Sequence, residues 1–179
     1  MKRYLPLLFG VLVLIIVNSN ISKQEQIIRT GESIFVKLHS INPRSLLQGD
    51  YMALAYNLNI DKASLADIKD NKSSAQISLL SYQLIITLDE QQRVISSTFN
   101  EPKPLADNQH KLIVKKPGRE SWQTNFYPAN NSFFFAEGLA KCYAQAEYAE
   151  LKVVETGKPL LYRLTDGNLL PLNCENQPQ

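Results

Sequence analysis

The groups in this chain that could do chemistry are two histidines, two cysteines and a scatter of carboxylates, serines and lysines. His39 and His110 have no acidic or sulfur neighbour at ligand spacing. Both read as surface or edge imidazoles, and no metal site is expected. Ser-His-Asp catalysis is assembled in space, yet no G-x-S-x-G turn presents a nucleophile. With 7 glycines in the whole sequence, no Gly-rich loop can cradle a phosphate. No cofactor is expected. Cys142 and Cys174 form an even pair, which in an exported chain suggests a disulfide contributing about 3–4 kcal/mol on the loop-entropy argument. The other reading is one buried thiol and one loose tail thiol. Zinc is disfavoured, because there is no C-x-x-C and no neighbouring histidine.

The most constrained stretch runs from Pro43 to Tyr56. Pro43 fixes an extended entry and biases Asn42 away from helix. Gly49-Asp50 is a turn signal, since glycine adopts positive φ freely and aspartate bonds its own backbone. A strand follows, with Met52, Leu54, Tyr56, Leu58 and Ile60 on one face and Tyr51, Ala53, Ala55 and Asn57 on the other. Leu54 and Tyr56 are expected in the core. Asp50 and Tyr51 sit at the strand start, on the side that could meet something else.

Gly49-Asp50-Tyr51, then Leu54, then Tyr56 resembles the signature of the bacterial GDYXXLXY family of membrane-anchored proteins. Arg29-Thr30-Gly31 upstream and Pro43-Arg44-Ser45-Leu46-Leu47 before the motif are similar to that family's flanks. Glu137-Gly138 and Tyr148-Ala149-Glu150-Leu151-Lys152-Val153 look like its second block. The resemblance spans roughly Ile27 to Leu164. It implies no catalytic residue; the partner it implies is a multi-spanning membrane protein. Leu-x-Gly-Asp-Tyr entering a strand is also similar to the strand after the nucleophile of type I signal peptidases. Here, however, Ser45 is followed by Leu46 and lies too close to Gly49, and Lys111 lacks the expected surroundings.

Among the carboxylates, Asp50, Glu137 and Glu150 fall in these blocks. Asp50 can cap the Gly49 turn or pair with Arg44, Glu137 can cap a short helix, and Glu150 can lie on the outer face of its strand. The functional reading makes Arg44, Asp50 and Tyr51 a polar and aromatic docking patch, because tyrosine and arginine often anchor interfaces.

The segment that positions all of this in the cell is the N-terminus. Lys2-Arg3 precedes an apolar run from Tyr4 to Val17, a targeting or anchoring element. The run covers about 14 residues, short of the roughly 20 that a comfortable span needs. It reads either as a cleaved signal peptide or as an uncleaved anchor; the family resemblance favours the anchor. Both place Lys2-Arg3 in the cytoplasm and export the remainder. A net charge of +2 with 20% charged residues leaves no nucleic-acid footprint. Lys115, Lys116 and Arg119 read as a solvated loop.

A polar link at 22–30 continues the helix until Thr30-Gly31 ends it. Ile34, Val36 and Leu38 point inward from the next strand, and a Ser40–Asp50 loop leads to the motif strand. A short helix starts at Asp61 and includes Leu65 and Ile68. Ile77–Leu88 is the strongest strand, and Asp89–Gln92 turns it into a hairpin. Pro117-Gly118 is a turn, Trp122–Asn131 a surface loop and Phe133–Phe135 a buried strand. One or two helical turns fall within Glu137–Ala146. Tyr148–Val154 and Leu160–Leu164 flank the Glu155–Lys158 turn, and a frayed tail follows Leu172.

The fold class expected is mainly β: an antiparallel sandwich or open barrel with two short helices behind an N-terminal membrane helix. The boundaries are an anchor at 1–21, a link at 22–30, an extracytoplasmic domain at 31–172 and a tail at 173–179. The function expected is non-enzymatic: a single-pass protein on the outer face of the bacterial cytoplasmic membrane, accessory to a multi-spanning protein. The alternatives are a module binding a small ligand or envelope polymer through Trp122, Phe126 and Tyr127, and, weakest, a hydrolase.

Overall fold

A computed structural model describes residues 5–39, 43–46, 49–64, 81–100, 102, 104–116 and 126–176. Leu65 and Ile68 of the expected short helix, the first residues of the Ile77–Leu88 strand, the Pro117-Gly118 turn and Trp122 lie outside them.

The chain opens with helix α1 (Leu5–Thr30). Its apolar side chains from Leu8 to Val17 are exposed, and its last turn buries Ile27. The continuous apolar run ends at Val17 and Asn18-Ser19-Asn20 follow. Among the described residues no helix is long and apolar enough to cross a membrane.

Among the described residues three antiparallel three-stranded sheets form the body, and they do not close into a barrel. The first orders β1 (Glu32–Lys37) beside β8 (Tyr148–Val153) and β9 (Pro159–Thr165). The second holds β2 (Pro43–Leu46), β3 (Gly49–Ala53) and β7 (Ser132–Phe135). In the third, β4 (Ser81–Leu88) lies between β5 (Val94–Thr98) and β6 (Gln109–Lys115). A short helix α2 (Ala140–Tyr143) and a 3-10 turn at Cys174–Asn176 complete it.

Period-2 patterning explains the core. Ile34 and Val36 from the first sheet, with Leu38 just after β1, meet Met52, Leu54, Tyr56 and Leu58 from the motif segment. Leu84, Ile86, Leu112 and Val114 close the cluster from the third sheet. The alternation expected over Met52–Leu58 holds throughout, but the strand itself stops at Ala53. Beyond it the extended chain hands its backbone bonds from sheet to sheet. Leu54 N–H donates to Asn131 O at 2.8 Å, Asn57 N–H to Lys37 O at 2.8 Å and Asp61 N–H to Ser97 O at 2.9 Å. The motif segment therefore stitches all three sheets, which is why it alternates without being one strand.

The sequence misplaces three further features. The stretch read as a Ser40–Asp50 loop contains β2, so Gly49-Asp50 is the first part of β3, paired with Leu46 and Ser45, rather than a turn. Phe133–Phe135 is a strand, yet Phe134 faces outward. The tail is not loose at its start, because Cys174 is buried in the core. The Asp89–Gln92 turn is where expected, with Asp89 Oδ1 accepting from Gln91 N–H at 2.9 Å and Arg93 N–H at 2.8 Å.

Candidate functional site

The motif divides between two jobs. Leu54 and Tyr56 are buried, and the Tyr56 hydroxyl donates to Asn130 O at 2.7 Å. Burial pushes that phenol well above its ordinary pKa, so it stays a neutral donor. These two residues, with Met52, hold the motif segment in the core and are not available for recognition.

Gly49, Asp50 and Tyr51 lie instead on the β2–β3 hairpin. Across the sheet, Arg44 pairs with Tyr51 and Tyr51 with Phe134, giving one row through three strands. Phe134 is 73% exposed, and its ring centroid lies 5.9 Å from that of Tyr51. On either side, Phe133 and Phe135 turn to Tyr143, each with centroids 5.1 Å from it. Asp50 falls in the neighbouring row with Ser45 and Phe135. The register thus joins Arg44 and Tyr51 but separates Asp50 from them, and it adds Phe134, against the expectation of a buried strand over Phe133–Phe135. Only an alternation count across Phe133–Phe135, anchored on Tyr143, could have found it.

Glu137 is exposed in the turn before α2. The helix N-cap is Leu139 and carries no side-chain cap bond, so Glu137 does not cap it.

Glu150 corrects its expectation most sharply. Its alternation sets it opposite Ala149 and Leu151, but at 2% exposure it is not a solvated carboxylate. Ser33 Oγ donates to Glu150 Oε1 at 2.8 Å, and Arg163 Nε donates to Oε2. Lys152 Nζ donates to Ser33 Oγ at 2.8 Å. The Lys152 ammonium and the Arg163 guanidinium lie 5.6 and 5.0 Å from the Tyr162 ring centroid, within cation–π range. Serine with lysine is a combination that supports nucleophilic catalysis when the amine can take the serine proton. Here the lysine donates to the hydroxyl, whose own proton goes to Glu150. The arrangement links β1, β8 and β9 through one carboxylate and two cations, and it satisfies a buried carboxylate. The serine and lysine of the peptidase comparison are held apart: Ser45 is on β2 and Lys111 on β6, in different sheets.

The cysteines take the first of their two readings, Cys142 bonding Cys174 with Cα atoms 5.7 Å apart. His110 has an acidic neighbour in space that the sequence hid, Nδ1 lying 3.2 Å from Glu32 Oε2. Among the described residues no three His, Cys, Asp or Glu side chains gather as a metal site. Of the aromatic platform, Phe126 is buried against Tyr82 and Phe99, with centroids 5.4 and 5.2 Å away. Tyr127 is half-buried and bridges to Lys115, while Trp122 lies outside the described residues.

Compared with known proteins, residues 13–164 match the family described as GDYXXLXY protein. No curated protein and no solved structure matches the chain.

Proposed function

The chain belongs to the GDYXXLXY family, and from that premise we propose that it is a non-enzymatic, membrane-anchored domain that docks a multi-spanning membrane protein on the outer face of the bacterial cytoplasmic membrane. The observation that carries this reading is exposed Phe134 beside half-buried Tyr51, in register with Arg44 on the motif sheet. An exposed phenylalanine on β7, flanked by a tyrosine on β3 and by neighbouring rings committed to the core, is suited to anchor a partner.

Helix α1 supports the anchored reading. Leu8, Phe9, Leu14 and Ile15 are exposed on several sides of the helix. The amides of Asn18 and Asn20 donate to the carbonyls of Leu14 and Ile16, at 2.9 and 3.0 Å. That masks polarity and extends the insertable length to Ile21, about 24 Å from Leu5 at 1.5 Å per residue, short of a bilayer core of about 27–30 Å. The Cys142–Cys174 disulfide fits an oxidising compartment. A non-catalytic role is supported by the direction of the Ser33 bonds, in which Lys152 donates to the hydroxyl rather than taking its proton, and by the commitment of Glu150 to Arg163.

The test is affinity purification of the full-length protein from gently solubilised membranes, wild type beside Tyr51→Ala/Phe134→Ala. A multi-spanning protein recovered with wild type and lost with a variant of unchanged circular dichroism supports docking. Equal recovery from both, or no specific membrane protein with wild type, overturns it.

A further inference from the structure

Anchor and domain are joined without a hinge. Helix α1 runs unbroken from Leu5 to Thr30, and strand β1 starts at Glu32, leaving Gly31 as the entire connection. Gly31 N–H donates to Ile27 O at 2.9 Å, closing the last helical turn. Thr30 Oγ1 donates to Gln26 O at 2.9 Å in the same turn. Ile27 is buried at 7% exposure, seating the helix on the sheet that carries β8 and β9. A Cβ on Gly31 would lie 2.5 Å from Ile27 O, 3.2 Å from Lys152 Cβ and 3.2 Å from Val153 N. The junction is thus a close backbone approach that only glycine permits. Glu32 at the start of β1 is held in turn by pairing with Val153 and by the His110 contact.

We infer that α1 is a rigid strut locked to the first sheet at Gly31 and Ile27, so that the domain is presented to its membrane partner at one height and one rotation about the helix axis. The inference rests on the anchored reading only for where the far end of the strut lies. A helix stores no free rotation, and each inserted residue would turn the domain by about 100° and lift it about 1.5 Å. A Gly/Ser linker would leave the docking face free to point anywhere. The Tyr51–Phe134 row is therefore aimed by the strut, not merely tethered.

The experiment is double electron–electron resonance on the full-length protein in phosphatidylcholine/phosphatidylglycerol nanodiscs. One nitroxide pair joins Leu12→Cys on α1 to Ile95→Cys on β5. A reference pair, Ile95→Cys with Glu155→Cys, lies within the domain. The native cysteines are both in the disulfide, so the introduced thiols are the ones labelled. The expected result is a helix–domain distance distribution as narrow as the reference. A Gly-Ser insertion between Gly31 and Glu32 should broaden it by at least about twofold, as a flexible linker does. A wild-type helix–domain distribution as broad as the insertion variant's, or at least about twice the width of the reference, overturns the strut. The accessibility of the Leu12 nitroxide to oxygen and to a water-soluble nickel chelate tests the anchor separately. A narrow distribution with a water-exposed label keeps the strut and removes the bilayer.

Discussion

Ser33 and Glu150, 117 residues apart in sequence, meet at 2.8 Å with the hydroxyl donating to a carboxylate that is almost wholly buried. Arg163 holds the other carboxylate oxygen, and Lys152 completes the set from its own place on β8. In the low-dielectric interior such a group is tolerated only when each oxygen is satisfied. This polar seam therefore ties three strands together beside the root of α1.

Replacing Glu150 by alanine strands the Arg163 charge and the Ser33 donor. Because Arg163 is 43% exposed at its side chain, water recovers part of that loss. The expected destabilisation is about 1.5–3 kcal/mol, the range for a hydrogen bond to a charged group. Urea unfolding of Glu150→Ala, Arg163→Ala and the double variant checks it: the double variant should cost less than the sum of the two single changes.

Tyr56→Phe removes one hydroxyl and leaves Asn130 O without its donor. A loss of about 1–2 kcal/mol follows, with unchanged secondary structure. Tyr56→Ala adds a cavity under the motif and should cost about 3–5 kcal/mol. A Tyr56→Phe variant as stable as wild type would mean that Asn130 finds water instead.

The disulfide closes a separation of 32 residues. Loop entropy gives it about 3–4 kcal/mol. Cys142→Ala/Cys174→Ala should lower the midpoint of thermal unfolding accordingly, and reductant should shift wild type toward the variant while leaving the variant unmoved.

Asp89 supplies an acid-dependent term. Burial works to raise its carboxyl pKa, but hydrogen bonds from Arg93 and Gln91 outweigh it and hold the group below its ordinary value of 3.8. A depressed carboxyl stabilises the fold above that ordinary value, and the contribution disappears as pH falls through the lower folded one. Asp89→Asn should therefore destabilise at neutral pH and show a smaller loss between about pH 5 and pH 2 than wild type. Parallel acid dependence in the two proteins would show that the β4–β5 turn does not depend on the charge.

The sequence alone determined what repeats along the chain. Period-2 alternation placed Ile34, Val36, Met52, Leu54, Tyr56 and Leu58 in the core, and the Asp89 and Glu155–Lys158 turns fell where their residues put them. These are local signals, set by side-chain direction and turn chemistry between near neighbours. The letters of the motif also sufficed to identify the family. What only the tertiary structure decided is which residues from distant strands share a row or a seam. Arg44, Tyr51 and Phe134 become one row because β3 pairs with both β2 and β7, and no local pattern encodes that choice of partners. Ser33, Glu150, Lys152 and Arg163 converge because β8 lies between β1 and β9. Glu150 read as an outward residue because strand period gives a face but cannot say whether that face meets water. Strand pairing and the cover over each face are long-range facts, set by the burial of the whole chain at once.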